Sequence, residues 1–446
     1  MKRQWNKASA GAGSAPKLKI ERLELPNGLI VLLSENHALP AISIQAVVKT
    51  GERFVTDEMA GLGSLSGELL DEGTATLTAQ QIASAIESVG GVLATVGGYA
   101  TTGVSVTLLS SDLDLGLELT ADLLRHPGFP EDRIALEVSK RLAEIHAQRD
   151  DPRRIASEAF NEIVFAGTPQ HRPLIGYEET VAKITRADLL AYHQRFFVPN
   201  NTILAMAGDF NLAQVESRVR QMFGDWQRDN DLSLPAAPRP QPQWEPITRF
   251  ITKDKEQVNI FLGHLGIERR NPDYYAVRVL DTILGDSPGF TSRIPRILRD
   301  EQGLAYTTYC HTARSAGLDP GRFVAYIGTS PDNLARAIAG LREQIELITQ
   351  APPTAEETAT AQAYLTGSFV FEFETNAQVA DFLVKAELYQ LGFDYLQRFP
   401  EEISRVTAQE VLRVARAYID PDNLTLVVVG PVDEQGKTLK AYFKVK

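Results

Sequence analysis

The 446-residue chain contains a single cysteine, Cys310, which rules out an internal disulfide framework and any zinc site built from cysteines. No segment reaches the roughly 18 consecutive apolar residues needed to cross a bilayer as a helix. Lys and Arg form no long runs, and acidic residues outnumber them to give a formal charge of -12. That balance argues against nucleic acid or an anionic membrane as the main partner. The seven histidines (His37, His126, His146, His171, His193, His264 and His311) are scattered. No two stand at i, i+3 or i, i+4, the spacing that lets two rings share a metal from one helix face. A Gly-rich phosphate loop and a Gly-x-Ser-x-Gly nucleophile elbow are also missing. The sequence therefore shows no hydrolytic centre of its own.

What is present is an ample core, with 43% hydrophobic and 23% charged residues, in a length that suits about two to three domains. Residues 1–19 are polar and Ala/Gly/Ser-rich and read as a flexible lead-in without a signal-peptide core. With one cysteine, this suits the cytoplasm; a periplasmic location stays open if a signal peptide has been removed. Pro26-Asn27-Gly28 marks a tight turn between two strands, and Ala41–Val48 is a further apolar strand. Residues 59–71 have helical spacing. Thr78 and Gln81 form a capping box that opens a second helix, which Gly90-Gly91 ends. Strands follow at 92–96 and 103–109, then helices through most of 112–197, and a strand at 202–207. From 228 to 246 the chain turns Pro-, Asp- and Asn-rich and reads as an extended linker. Gly285 to Gly289 reads as a plain turn between helices.

The two sides of that linker repeat each other. Ile184-Thr185, Phe196, Pro199-Asn200-Asn201 and Gly208 align without a gap on Val406-Thr407, Tyr418, Pro421-Asp422-Asn423 and Gly430, 222 residues later. Earlier in each half, an offset of 212 places Gly73 on Gly285 and Gly91 on Gly303. The fold class expected is α+β: two duplicated domains, 20–227 and 247–446, each a mixed, largely antiparallel sheet covered on one side by helices.

This layout resembles the inverzincins, the pitrilysin, insulinase and mitochondrial-processing-peptidase family of zinc metallopeptidases, over about residues 20 to 440. In that family the motif H-x-x-E-H lies between Gly-Leu-Ala and a later Gly-Thr. Gly61-Leu62-Gly63 and Gly73-Thr74 match that frame, as does Gly51-Glu52-Arg53 upstream. The resemblance puts Ser64 and Glu68 at the two histidine positions and Gly67 at the general-base position. Glu144, 76 residues after Glu68 and seven after Glu137, takes the place of the third ligand. The expectation is a degenerate site with no metal bound by this chain. Gly67 then weakens its helix by about 1 kcal/mol relative to Ala without catalytic return. An unusual metal site made of Ser64, Glu68 and Glu144 is the reading that metal analysis would test.

In the second half, Leu298-Arg299 to Gly303-Leu304-Ala305-Tyr306 resembles the family segment whose Arg and Tyr reach a zinc site across a cavity. The resemblance gives Arg299 and Tyr306, on a helix end and on the following strand, the role of assisting a partner's site. At offset 212 the first half has Glu87 and Ala94 there. The function implied is a non-catalytic subunit of a heterodimeric zinc peptidase that cleaves unfolded peptides, with zinc in the homologous partner. The alternative is an inert structural or assembly protein of the same fold, like core subunits of respiratory complexes.

Overall fold

The computed structural model describes residues 18–236, 238, 240, 245–287 and 292–439. Most of the lead-in, part of the linker and residues 288–291 of the turn and of the Arg299 segment lie outside the described residues. Among the described residues no helix is long and apolar enough to cross a membrane.

The first half contributes strands β1 (Glu21–Glu24), β2 (Ile30–Glu35), β3 (Ala41–Val48), β4 (Val92–Gly97), β5 (Thr102–Leu109) and β6 (Thr202–Gly208). Its helices are α1 (Leu62–Glu68), α2 (Ala79–Ser88), α3 (Leu113–Arg125), α4 (Glu131–Gln148), α5 (Pro152–Val164), α6 (Glu178–Val181), α7 (Arg186–Phe196) and α8 (Leu212–Phe223). The second half contributes β7 (Thr248–Thr252), β8 (Val258–Leu265), β9 (Thr307–His311), β10 (Arg322–Thr329) and β11 (Thr425–Gly430). Its helices are α9 (Tyr274–Leu284), α10 (Leu334–Gln350), α11 (Ala355–Phe369), α12 (Asn376–Leu388), α13 (Tyr395–Arg405) and α14 (Ala408–Tyr418).

Local chemistry sets these boundaries. Gly28 takes a left-handed φ of 88° in the turn between β1 and β2. The Thr78–Gln81 box closes in both directions, and Thr185, Thr354, Thr375 and Thr407 cap later helices in the same way. Each such cap satisfies helix-end N–H groups that would otherwise lack a partner.

The strand orders are β1-β2-β6-β3-β5-β4 and β7-β11-β8-β10-β9. Apart from the extra β1, the two sheets have one topology: a single parallel pair (β2 with β6, β7 with β11) and antiparallel pairs elsewhere. The duplication is thus real at the level of strand pairing, and each sheet is mixed and largely antiparallel.

The expectation of helices on one side only needs correction. One face of the first sheet, with Val31, Leu33, Ile44 and Met206, buries against helices of its own half. The other face, with Leu32, Val47, Ile203 and Ala205, is covered by α12 of the second half. In return α5 of the first half lies on β8 and β11, packing Phe160 and Ile163 against Phe261, Tyr326 and Val427. Strand side chains alternate between faces, so a sheet with apolar residues on both faces requires two covers. The halves exchange these helices reciprocally. Asn376 at the start of α12 donates to Ala41 O (2.9 Å), and Arg22 on β1 makes a bidentate pair with Glu387 at the other end of α12 (3.1 and 2.9 Å). A second link is polar: Arg53 makes a bidentate pair with Asp319 (2.7 and 2.8 Å), to which the Tyr99 hydroxyl also donates (3.1 Å).

One buried acid in the second core gives a pH prediction. Asp281 on α9 accepts from the N–H groups of Thr312 and Ala313 (2.9 and 2.7 Å). Burial nevertheless pushes its carboxyl up to about 7. Its folded value lies above the unfolded value of about 3.9, so the folded state binds the extra proton between those limits. Stability from this group is therefore greatest in acid and is lost as pH rises through that window. The slope approaches about 1.4 kcal/mol per pH unit. Urea denaturation at a series of pH values should show Asp281→Asn flattening this part of the profile; an unchanged profile would assign the carboxyl an ordinary titration.

Candidate functional site

Helix α1 begins at Gly61, whose φ of 99° is the left-handed conformation glycine adopts without strain. The Glu52 carboxylate, from the turn after β3, accepts from the N–H groups of Gly61 (3.1 Å) and Ser64 (2.9 Å) and so closes the helix N-terminus. Burial pushes Glu52 up from the usual carboxylate range despite these bonds. Arg172 lies over the same turn, donating to the carbonyls of Glu52 (3.1 Å) and Val55 (2.8 Å).

The face of α1 that carries Ser64 and Glu68 meets α4, and the side chain between them is Arg141. Its guanidinium is 3% exposed. It donates to Gly61 O (2.9 Å), to the Ser64 hydroxyl (2.8 Å) and to the Glu68 carboxylate (2.5 Å). The Ser64 hydroxyl donates in turn to Leu174 O (2.7 Å). Glu144 is not part of this group: it is exposed and accepts from Gln148 on its own helix (2.9 Å). Glu137 accepts from Lys140 (2.5 Å). Of the four degenerate positions, Ser64 and Glu68 are therefore brought together by Arg141, and Glu144 is left out.

These residues do not fit a zinc ion. The hydroxyl and carboxylate nearest the site are engaged by a guanidinium, which stays charged at any physiological pH. A cation fixed to the chain occupies the place between α1 and α4, and a divalent ion there would meet like charge. Among the described residues, no three His, Cys, Asp or Glu side chains gather in a group that could hold a metal.

Gly67, expected only to weaken its helix without catalytic return, has a packing role. A Cβ at Gly67 would lie 2.5 Å from Gly97 Cα and 2.6 Å from Val96 O, and one at Gly97 would lie 2.0 Å from Ser64 O. Helix α1 and edge strand β4 touch backbone to backbone, and two glycines make that approach possible. The low helix propensity of Gly67 is offset by this packing.

Arg299 and Tyr306 lie at the corresponding edge of the second sheet. Arg299 sits in a wide helical segment, Pro295–Glu301, in which Gln302 N–H reaches back five residues to Ile297 O (3.0 Å). Such wide turns recur at functional positions. Tyr306 stands one residue before β9 rather than on it, and is 84% exposed. The expected equivalence of Tyr306 with Ala94 also shifts. Ala207 pairs through Ser43 and Thr107 to Val92, whereas its repeat mate Val429 pairs through Asn259 and Gly328 to Thr307. Gly90 and Gly303 both end their helices with left-handed φ, 67° and 62°. Between glycine and edge strand the first half has Gly91 alone, and the second has Leu304, Ala305 and Tyr306. Tyr306 thus belongs to a short addition that the first half lacks.

Comparison with known proteins places this arrangement. Residues 30–178 match the model of the insulinase family, peptidase family M16, and residues 183–365 match that of the peptidase M16 inactive domain. The chain belongs to peptidase family M16. An uncharacterized zinc protease of Mycobacterium tuberculosis is 29% identical over 408 residues, covering 91% of this chain and 92% of that protein. One of Bacillus subtilis is 24% identical, covering 92% of this chain and 98% of that protein. Among solved structures, a peptidase M16 inactive domain from Pseudomonas fluorescens superposes with a TM-score of 0.87 at 24% identity, over 93% of this chain and 99% of that one. A protease from Helicobacter pylori gives 0.86 at 21%, over 93% of this chain and 100% of that one. These two likenesses speak for the fold.

Within this M16 chain, the residue that sequence reasoning missed is Arg141. It lies between Glu137 and Glu144 on α4, four residues after one and three before the other. That placement on the same helix face was the available signal. Glu52 was seen only as part of a matching frame, and its capping of α1 follows from the fold.

Proposed function

We propose that this M16 chain is the non-catalytic subunit of a heterodimeric peptidase whose homologous partner carries the zinc and whose substrates are unfolded peptides. The observation that carries this reading is Arg141, a charged side chain seated at the degenerate site of a chain that keeps Arg299 and an exposed Tyr306. A guanidinium offers a rigid fork of donors and a phenol a single donor on a stiff ring. Presented to a peptide held by the partner, they would donate to the substrate carbonyl as negative charge develops on its oxygen. The edge strand β4 supports peptide binding: Val92 and Val96 on its outer face are 65% and 57% exposed, and an apolar edge of this kind suits strand addition. The cytoplasm is the compartment proposed.

The test is co-expression with a zinc-bearing homologue, isolation of the complex, and assay of unfolded-peptide cleavage. Arg299→Ala and Tyr306→Phe are each expected to lower kcat by about 100-fold or more, the scale of losing an oxyanion donor. The chain alone should leave the peptides intact. Unchanged rates in an intact complex would remove both residues from the reaction and favour an assembly role.

A further inference from the structure

A cavity of about 400 Å³ lies between the halves, beside Glu52 and Leu174, both of which are hydrogen-bonded to Ser64. Three arginines line it: Arg154, Arg172 and Arg322. The first two have carboxylate partners, since Arg154 donates to Glu158 (2.6 Å) and Arg172 to Asp57 (2.9 Å). Arg322, at the start of β10, has none among the described residues. Its guanidinium donates to the neutral groups of Ser157 (3.3 Å) and Asn161 on α5, and packs over the rings of Phe160 and Phe261 (5.7 and 5.9 Å). Burial lowers its proton affinity from the usual arginine value. Arg172, only 7% exposed, adds a buried Nε–H with no acceptor among the described residues, and Gln170 an amide oxygen with no donor among them. A half-buried charge without a counter-ion and a buried orphaned donor are both costly unless something binds them.

The duplication supplies an internal comparison. Helices α5 and α12 correspond at an offset of 224, and a cavity of about 560 Å³ also borders α12, lined by second-half residues. There the positions matching Ser157 and Asn161 are Asp381 and Lys385, which pair with each other at 2.6 Å. At these two positions the second half carries a matched ion pair, whereas the first carries neutral groups against Arg322, whose charge is left for an anion from outside. With Arg154 matched by Glu158 and Arg172 by Asp57, Arg322 is the cation without a carboxylate, which suits one negative charge brought to it. Phe165, Pro173 and Leu174 form an apolar wall beside the arginines.

We propose that this cavity binds a monocarboxylate with an apolar tail through Arg322 and Arg172. The Arg322 guanidinium matches the planar carboxylate, Arg172 adds its remaining Nε–H, and the apolar wall takes the adjoining side chain. The C-terminal residue of a peptide and a free acylated amino acid share this chemistry. The site needs no second subunit, so it stands apart from the function proposed above.

The experiment is calorimetric titration of the full chain with N-acetyl-leucine, N-acetyl-leucinamide, inorganic phosphate and a longer peptide ending in leucine. N-acetyl-leucine is expected to bind saturably and at least about tenfold more tightly than the amide or phosphate, the scale of one charge-assisted contact. Arg322→Met should weaken it by about tenfold or more. Asn161→Asp, which differs by one group and places a carboxylate against Arg322, should do the same while thermal melting shows an intact fold. Binding of the peptide as well as the free acid would make peptide C-termini the source; binding of the acid alone would make it a small molecule. Equal binding of acid and amide, tighter binding of phosphate, or full binding by both variants would overturn the assignment.

Discussion

A chain carrying Ser64→His, Gly67→Glu and Glu68→His together is expected to take up no zinc, although it would spell the complete H-x-x-E-H motif. The obstacle is the surroundings of the motif. Any side chain at position 67 must begin within 2.6 Å of the backbone of Gly97 and Val96. Since real Cβ contacts do not come so close, α1 and β4 would have to separate. An imidazole at position 64 would enter a fully buried space already bounded by Leu174 O and the Arg141 guanidinium. Overpacking of this kind typically costs about 1–3 kcal/mol, and more where backbone must move. Metal analysis of the purified variant should find zinc near zero, and chemical denaturation should show the loss of stability. One zinc per chain with normal stability would mean that α1 can leave β4 without penalty.

Arg141→Ala is expected to lower stability by about 3 kcal/mol, the scale of removing a buried charged group that makes several hydrogen bonds. The lost partners are a backbone carbonyl, the Ser64 hydroxyl and the Glu68 carboxylate. The two sides of the ion pair are unequal, because the Glu68 side chain is 46% exposed and water can solvate it. Glu68→Gln should therefore cost well under half as much. Urea denaturation of the two variants checks the ratio. Equal small losses would reduce Arg141 to an ordinary surface pair.

The strands and caps were legible because their signals are local. Pro26-Asn27-Gly28 needs only a turn, and Thr78 needs only Gln81 three residues on. The repeat from Ile184 to Gly208 was legible because both copies keep the same helix, turn and buried strand. What escaped is set by distant neighbours. Arg141 reads as one more cation on a polar helix until α1 is laid against it. Gly67 reads as a weakness until Gly97 is opposite. A constant offset cannot reveal that Leu304, Ala305 and Tyr306 stand where the first half has Gly91 alone. The covers on the second face of each sheet were hidden for a related reason: α5 is amphipathic and α12 buries apolar residues on most of its sides, yet neither pattern says whose sheet the helix will meet.

That reciprocal crossing of α5 and α12 bears on ancestry. A protein of half this length, built on the same plan, would have had one sheet face open and one helix with nowhere in its own body to lie. Two copies trading that helix would solve both problems at once, as in a domain-swapped pair. On this view the stretch from 228 to 246 joined partners that already depended on each other. Fusion then freed each copy to change alone, which a symmetric pair cannot do. Lys385 with its own Asp381 in one copy, and Asn161 beside an unmatched Arg322 in the other, are the kind of divergence that only such a joined pair permits.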